Sequence, residues 1–351
     1  MASSTARPSM LPRLASTFVV LSIVSLIAWT AGSLAAGSDG APEPSAPGAA
    51  SAAGPASSSP AAEMSGTPSP VRRTAAATVP LGSTAASVPS FSHIDVIVME
   101  NHEYGSIVGN TQAPYLNSLI RHYGLATNDH AVAHPSEPNY LALFAGSTFG
   151  VHDDGVYNLG ARNLADQLAA HGRSWHVYAQ DLPGPCFLGA TSYGGVDLVG
   201  AAGWYARKHE PAVSFTDISR VRSRCDRITH LAGFSPTAAN LELIVPNMTN
   251  DMHDGTVAQG DAFLRAFVPR ITRSSAFATS LLLITWDEGS TSLGGGGRVA
   301  TIVISPRVRA GFRSAISHSH YSILRTIEDA WGLGCLDHTC TSNDLREFFA
   351  R

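Results

Sequence analysis

Apolar residues along this chain gather into short runs separated by stretches of helical spacing. His93-Ile-Asp-Val-Ile-Val-Met99, Leu241-Glu-Leu-Ile-Val245 and Ser280-Leu-Leu-Leu-Ile-Thr-Trp286 are β-branched or leucine-rich runs of strand length. Trp175 to Ala179 and Arg298 to Ser305 read as two further strands. Between them, Ala113 to Tyr123 (with Pro114 near its start), the stretch opening at Ser136, Leu159 to His171 (closed by Gly172), Thr256 to Ile271 and Ser319 to Trp331 carry helical spacing. Strands alternating with helices predict an α/β fold, a mostly parallel central sheet with helices on both faces. Residues 181–235, irregular and rich in Gly, Pro and aromatic residues, predict an insertion.

The pattern is missing from the first 88 residues. In residues 1–36, Arg7 and Arg13 precede an uncharged run from Leu14 to Ala36, apolar from Phe18 to Trp29 and ending in Ser33-Leu-Ala-Ala36. That is the layout of a signal peptide, with an uncleaved membrane anchor as the alternative. Residues 37–88 are Ala, Ser, Pro, Gly and Thr with few charges, too poor in apolar surface to offset chain entropy, and predict a disordered spacer. The folded domain is therefore expected over 89–351, secreted or held at the cell surface. Membrane contact would come only through the N-terminal segment.

Charge and cysteine content narrow the picture further. The formal net charge of −4 offers no broad basic surface for nucleic acid. Cys186, Cys225, Cys335 and Cys340 all follow the targeting segment, where disulfides are expected. Of the three possible pairings, Cys186–Cys225 and Cys335–Cys340 are favoured, the second closing a short loop.

Three strand candidates stop abruptly at acidic or amide residues: Glu100-Asn101, Asn250-Asp251-Met252-His253-Asp254 and Asp287-Glu288. Ligands of open parallel sheets bind beyond the carboxyl ends of the strands, so these side chains are expected on one edge. Converging carboxylates repel unless a cation lies between them, which points to a divalent metal. Ser136 opens a helix, where free N–H groups attract an anion, although the same position suits a plain helix cap. Gly294 to Gly297 lacks the Lys-Ser/Thr of a phosphate loop and reads as a flexible hairpin or lid.

The segments His134-Pro-Ser-Glu-Pro-Asn-Tyr-Leu-Ala-Leu-Phe-Ala-Gly146, Tyr205-Ala-Arg-Lys-His209, Asn250-Asp-Met-His-Asp-Gly255 with Ala258-Gln-Gly-Asp261, and Thr285-Trp-Asp-Glu288 resemble the phosphoesterase family. That family contains bacterial acid phosphatases and phospholipase C-type enzymes. The resemblance runs from about Ser92 to Leu333 and implies an alkaline-phosphatase-like fold. It implies Ser136 as nucleophile, Asn139 as a donor to a phosphoryl oxygen, and Glu100, Asn101, Asp287 and Glu288 around a metal that Ser136 also meets. Asp251 and His253 would be ligands or phosphate contacts on the other side. His320 corresponds to a late family histidine, and His253 or His320 would protonate the leaving group. His209, with Lys208 or Arg207, would line the substrate pocket. Asp287-Glu288 stands where the wider superfamily has Asp-His, and Glu100 is followed by Asn101. Both departures favour oxygen ligands, so Mg²⁺, Mn²⁺ and Ca²⁺ stand beside Zn²⁺.

The expected activity is thus metal-dependent hydrolysis of phosphate monoesters through a phosphoserine, with phosphatidylinositol 3-phosphate among the implied substrates. Two alternatives differ in kind: a phospholipase C-type phosphodiesterase, and a non-catalytic surface binding protein on a phosphatase fold.

Overall fold

A computed structural model describes residues 87–196 and 202–349. The expected targeting segment and nearly all of the spacer lie outside these residues. In chain order the elements are β1 (His93–Met99), α1 (Tyr104–Ile107), α2 (Pro114–His122), β2 (Gly124–His130), α3 (Ser136–Ala145), α4 (Leu164–Ala170), β3 (Trp175–Ala179), β4 (Thr191–Val196) and β5 (Ala202–Ala206). There follow α5 (Thr216–Ser219), α6 (Arg222–Cys225), β6 (Ile228–His230), β7 (Leu241–Val245), α7 (Val257–Thr272), β8 (Ser280–Trp286), β9 (Arg298–Ile304), β10 (Arg313–Ser314), β11 (His318–Ser319) and α8 (His320–Trp331).

Among the described residues, nine strands form one sheet in the order β10-β2-β9-β8-β1-β7-β3-β6, with β11 also on β2. β1 lies at its centre, parallel to β7 on one side and β8 on the other. β9 runs antiparallel to both β8 and β2. Two reversals restore the direction, so β2 points the same way as β1. The carboxyl ends of β1, β2, β3, β7 and β8 therefore share one edge. β11 pairs with the last residues of β2 and delivers α8 to that edge as well.

Alternation along the strands splits the core into two layers. Ile94, Val96 and Val98 of β1 pack with Leu141, Phe144, Leu168, Ile323 and Ile327 from α3, α4 and α8. Ile97 and Met99 pack on the other face with Leu116, Ile120, Phe263 and Phe267 from α2 and α7. Each residue step flips the side chain, which is why an uninterrupted apolar run serves a strand covered on both faces.

Several expectations need correction. The helix expected from Leu159 begins only at Leu164: Asn163 accepts from the Asp166 N–H and caps it, while Leu159 bridges to Phe215. β2 carries no apolar alternation, and its pairing with β9 shifts register between Ala126 and Asp129. The 181–235 insertion contains the β4–β5 hairpin and also supplies β6 to the sheet edge. The Gly294–Gly297 run is not a free lid. A Cβ on Gly295 would stand 2.3 Å from the Val132 carbonyl oxygen, and one on Gly296 2.1 Å from that of Ala133, so glycine lets this strap lie against the backbone leading to Ser136. Cys186–Cys225 and Cys335–Cys340 form the two disulfides, as expected. No helix among the described residues is long and apolar enough to cross a membrane.

Candidate active site

Ser136 is the first residue of α3, every residue of which is buried. The helix closes at Gly146, in left-handed backbone with φ +72°, where a Cβ would stand 2.2 Å from the Leu336 carbonyl oxygen. The Ser136 hydroxyl caps nothing. Its Oγ lies 3.2 Å from Glu100 Oε2 and 3.3 Å from Glu288 Oε1. The helix-cap reading of this serine is thereby replaced by a hydroxyl held between two carboxylates.

Glu100 follows β1, and its carboxylate is the hub of the site. Oε1 accepts the Tyr140 hydroxyl. Oε2 lies 3.1 Å from His209 Nε2, and His209 Nδ1 lies 3.3 Å from Asp251 Oδ2. Glu100, His209 and Asp251 are all buried and offer ligand atoms within 4.8 Å of one another. Backbone bonds knit the strand ends together: Glu100 N–H donates to the Asp251 carbonyl at 2.8 Å, and Asp287 N–H to the Met99 carbonyl at 2.9 Å. Asp251 therefore belongs to the Glu100 cluster rather than to a separate side. His209, expected to line the substrate pocket, is in that cluster too.

The electrostatics ask for a cation. Burial, then Asp287 and Asp251, hold the Glu100 carboxyl well above its usual range. Burial raises Asp251 likewise. Glu288 is pushed up to about 7, by burial and then by Asp287. Burial, with Lys208 and His253 nearby, lowers His209, so its imidazole is neutral and able to bind metal. His209 Nε2, Asp251 Oδ2 and Asp287 Oδ2 are buried without a hydrogen-bond partner among the described residues. Three buried ligand atoms left without hydrogen bonds, two carboxylate oxygens and one imidazole nitrogen, fit a divalent metal of mixed oxygen and nitrogen preference.

Other expected site residues are placed differently. Asn101 has an exposed side chain and φ +55°, and what it brings to the cluster is its backbone N–H, 2.9 Å from Asp287 Oδ1. Asn139 is not free to meet a phosphoryl oxygen. Its amide donates to the carbonyls of Ala133 and Pro135, and its oxygen accepts from the N–H groups of Val132 and Ala133. It moulds the segment that presents Ser136. Arg207 spends its guanidinium on the carbonyls of Leu188, Tyr157 and Val213, so it braces the insertion rather than touching a phosphate. His320 Nε2 donates to the Asp287 carbonyl, leaving Nδ1 buried and without a partner among the described residues.

Lys208 and His253 lie beside the cluster. Lys208 Nζ is 2.9 Å from Asp154 Oδ2 and 3.3 Å from His253 Nε2. An ammonium only donates, so His253 Nε2 accepts and its Nδ1–H donates to Asp254 Oδ1 at 2.8 Å. Burial would lower Lys208, but its bond to Asp154 outweighs this and raises it. Asp254 is free for His253 because Thr256, not Asp254, caps α7.

Two residues of the site carried no assigned role in the sequence. His134 Nδ1 is bonded to Glu288 Oε2, and its Nε2 to the Thr291 carbonyl at 2.7 Å. Burial alone would lower His134, yet these bonds raise it. Tyr140 stacks on His209, ring centroids 5.4 Å apart and 14° between planes. Both lie within the seven-residue run around Ser136, and that placement was the only signal available for them.

The Phosphoesterase family matches residues 110–334. Similar proteins include phosphatidylinositol-3-phosphatase of Mycobacterium tuberculosis, 37% identical over 72% of this chain and 81% of that protein. An acid phosphatase of Aspergillus fumigatus is 29% identical over 78% of this chain and 62% of its own length. In three dimensions the lipoteichoic acid synthase LtaP of Listeria monocytogenes superposes with a TM-score of 0.51 at 8% identity, covering 75% of this chain and 78% of that one. The sheet and its flanking helices are thus an α/β fold, and the chain belongs to the Phosphoesterase family, hydrolases that act on phosphoric ester bonds.

Proposed function

We propose that this protein is an exported, metal-dependent phosphomonoesterase that works through a phosphoserine at Ser136. The observation that carries the reading is the Ser136 hydroxyl, uncapped and set between the Glu100 and Glu288 carboxylates. Glu100, His209 and Asp251, with Asp287 and Glu288 beside them, would hold the metal. When bound it would supply positive charge that favours the serine alkoxide and the phosphoryl oxygens.

The chain's own groups do the rest. A carboxylate oxygen beside Ser136 accepts the hydroxyl proton as Oγ attacks phosphorus. The Oγ–P bond forms, the ester P–O bond breaks, and the alcohol leaves with a proton. His253, only partly buried beside the cluster, is the histidine assigned to deliver that proton, exchanging the Lys208 contact of its Nε2 for the leaving oxygen. His320 and Asn139 act through others, the first on the Asp287 backbone and the second on the 132–135 segment. Hydrolysis of the phosphoserine then returns Ser136 and releases phosphate. Monoesters are the substrate class, and phosphatidylinositol 3-phosphate is the lipid substrate to assay, given the mycobacterial relative. Disulfides support the exported destination.

The decisive experiment is Ser136→Ala. Turnover of p-nitrophenyl phosphate should fall at least roughly 1,000-fold with the circular dichroism spectrum unchanged. Acid quenching of wild type with labelled substrate should trap phosphate on the protein. Near-normal turnover in the variant would remove the nucleophile.

A further inference from the structure

Ser136 is only 1% exposed, its Oγ set between two carboxylates. A phosphate ester reaches it only if a neighbouring group moves, and the next residue shows which. Pro138 has no N–H, so the Glu137 N–H is the backbone donor that follows Ser136 at the start of the ten-residue α3, the end of a helix that favours negative charge. That donor is already taken. It bonds Asp154 Oδ1 at 3.0 Å. The other oxygen of the same carboxylate, Oδ2, accepts from Lys208 Nζ at 2.9 Å.

One carboxylate therefore holds a backbone N–H and an ammonium beside the reacting hydroxyl, the two kinds of donor that suit a phosphoryl oxygen. That a ligand belongs here is marked apart from this contact, by His209 Nε2, Asp251 Oδ2 and Asp287 Oδ2, buried and without a hydrogen-bond partner among the described residues. Asp154 is also free to leave. It lies in a bend where His152 and Asp153 are exposed as it is, and its far side lines, with Lys208 and His253, a cleft of about 420 Å³ open to solvent. Its carboxylate thus stands at the boundary between that cleft and the start of α3. It adds negative charge where charge is already crowded: Asp154 acts on Glu288, as Glu100 and Asp287 act on Lys208. A phosphoryl group offers more oxygens and more charge than a carboxylate, so it can take over both donors. As Lys208 turns to it, the lysine's contact with His253 Nε2 is given up, which frees that nitrogen for the leaving oxygen.

We propose that Asp154 is an internal competitor of the substrate, its carboxylate occupying in the resting protein the place that phosphoryl oxygens take on the Glu137 N–H and Lys208. The inference rests on Ser136 as the reacting residue and concerns the phosphoryl half of the substrate, whatever alcohol it carries. Equilibrium dialysis of labelled inorganic phosphate against the Mn²⁺-loaded protein tests it without turnover. A competitor in place about 90% of the time weakens apparent affinity about tenfold. Asp154→Asn, which carries no charge, should therefore bind phosphate up to about tenfold more tightly, and Asp154→Ala at least as tightly, with KM for p-nitrophenyl phosphate falling in step. Asp153→Asn removes the same charge one residue away, from an exposed side chain bonded to Tyr157, and should shift the constant less than about twofold. Lys208→Ala should weaken binding, and adding Asp154→Asn to it should gain little. Weaker, unchanged or absent phosphate binding in the Asp154 variants, or an equal gain in Asp153→Asn, would overturn the competitor. A protein that shows these shifts in binding yet hydrolyses no ester would remove Ser136 as nucleophile and leave the place of Asp154 standing.

Discussion

Tyr140 holds two members of the cluster at once. Its hydroxyl donates to Glu100 Oε1 while its ring lies flat on the His209 imidazole. Burial and the neighbouring Glu100 raise its own pKa well above 10, so it stays a donor. Groups behind metal ligands fix their orientation, and losing one typically costs about 10–100-fold in metal affinity. Tyr140→Phe keeps the stacking and removes only the hydrogen bond. Its Mn²⁺ affinity, read by equilibrium dialysis, should fall within that range, and saturating metal should recover most activity. Unchanged affinity would show that Glu100 is oriented without it. His134 has the matching position on the other carboxylate, Glu288.

At the level of elements, the central strands carry a charge conflict away from the site. Asp95 of β1 is register partner to Glu242 of β7, and both are buried. Burial and the Glu242 charge raise Asp95 well above 3.8, and burial raises Glu242. The folded protein therefore keeps a proton that the unfolded chain releases above about pH 4. With more protons bound in the native state, this contribution is full at low pH and is lost as pH rises through the raised pKa. With metal saturating, the wild-type urea midpoint should be lower at pH 8 than at pH 5. Asp95→Asn carries no such proton, so the gap between the two midpoints should narrow. An identical gap in the variant would clear this pair of any part in the pH dependence.

For the whole molecule, the cluster is a tie between distant parts of the chain. Glu100 follows β1, Asp251 lies in the loop after β7, Asp287 follows β8 and His209 lies in the insertion, just after β5. A metal that binds only the folded arrangement stabilises it by about 2.7 kcal/mol at one hundred times its dissociation constant. For a domain of this size that is roughly 5–10 °C in Tm. Chelator should lower the wild-type Tm by such an amount and Mn²⁺ should restore it, whereas His209→Ala should respond weakly to either. A wild-type Tm indifferent to both would mean that the cluster holds no metal.

The strands β1, β7 and β8 were legible from the chain because each is a mainly apolar run followed by acidic or amide residues. Their placement at the sheet centre follows from needing cover on both faces. Ser136, Glu100, Asp251, Asp287 and Glu288 were legible for the same reason: parallel strands bring their carboxyl ends to one edge whatever the details between them. β2 was not legible, since its polar residues are held by neighbours on both sides and not by an apolar pattern of its own. Nor was the division of labour among similar side chains. His209 was expected in the substrate pocket and His253 as a ligand, phosphate contact or acid, yet the first is fully buried on Glu100 and the second faces Asp254 and Lys208. Arg207 and Lys208 are neighbours, yet only the lysine reaches Asp154 and His253, because the turn at 207–209 sends the arginine to the carbonyls of Leu188, Tyr157 and Val213. The sequence by itself determined which residue types would meet at which edge. Which atom of each faces the reacting group depends on hydrogen bonds between segments far apart in the chain, and only the tertiary structure decides those.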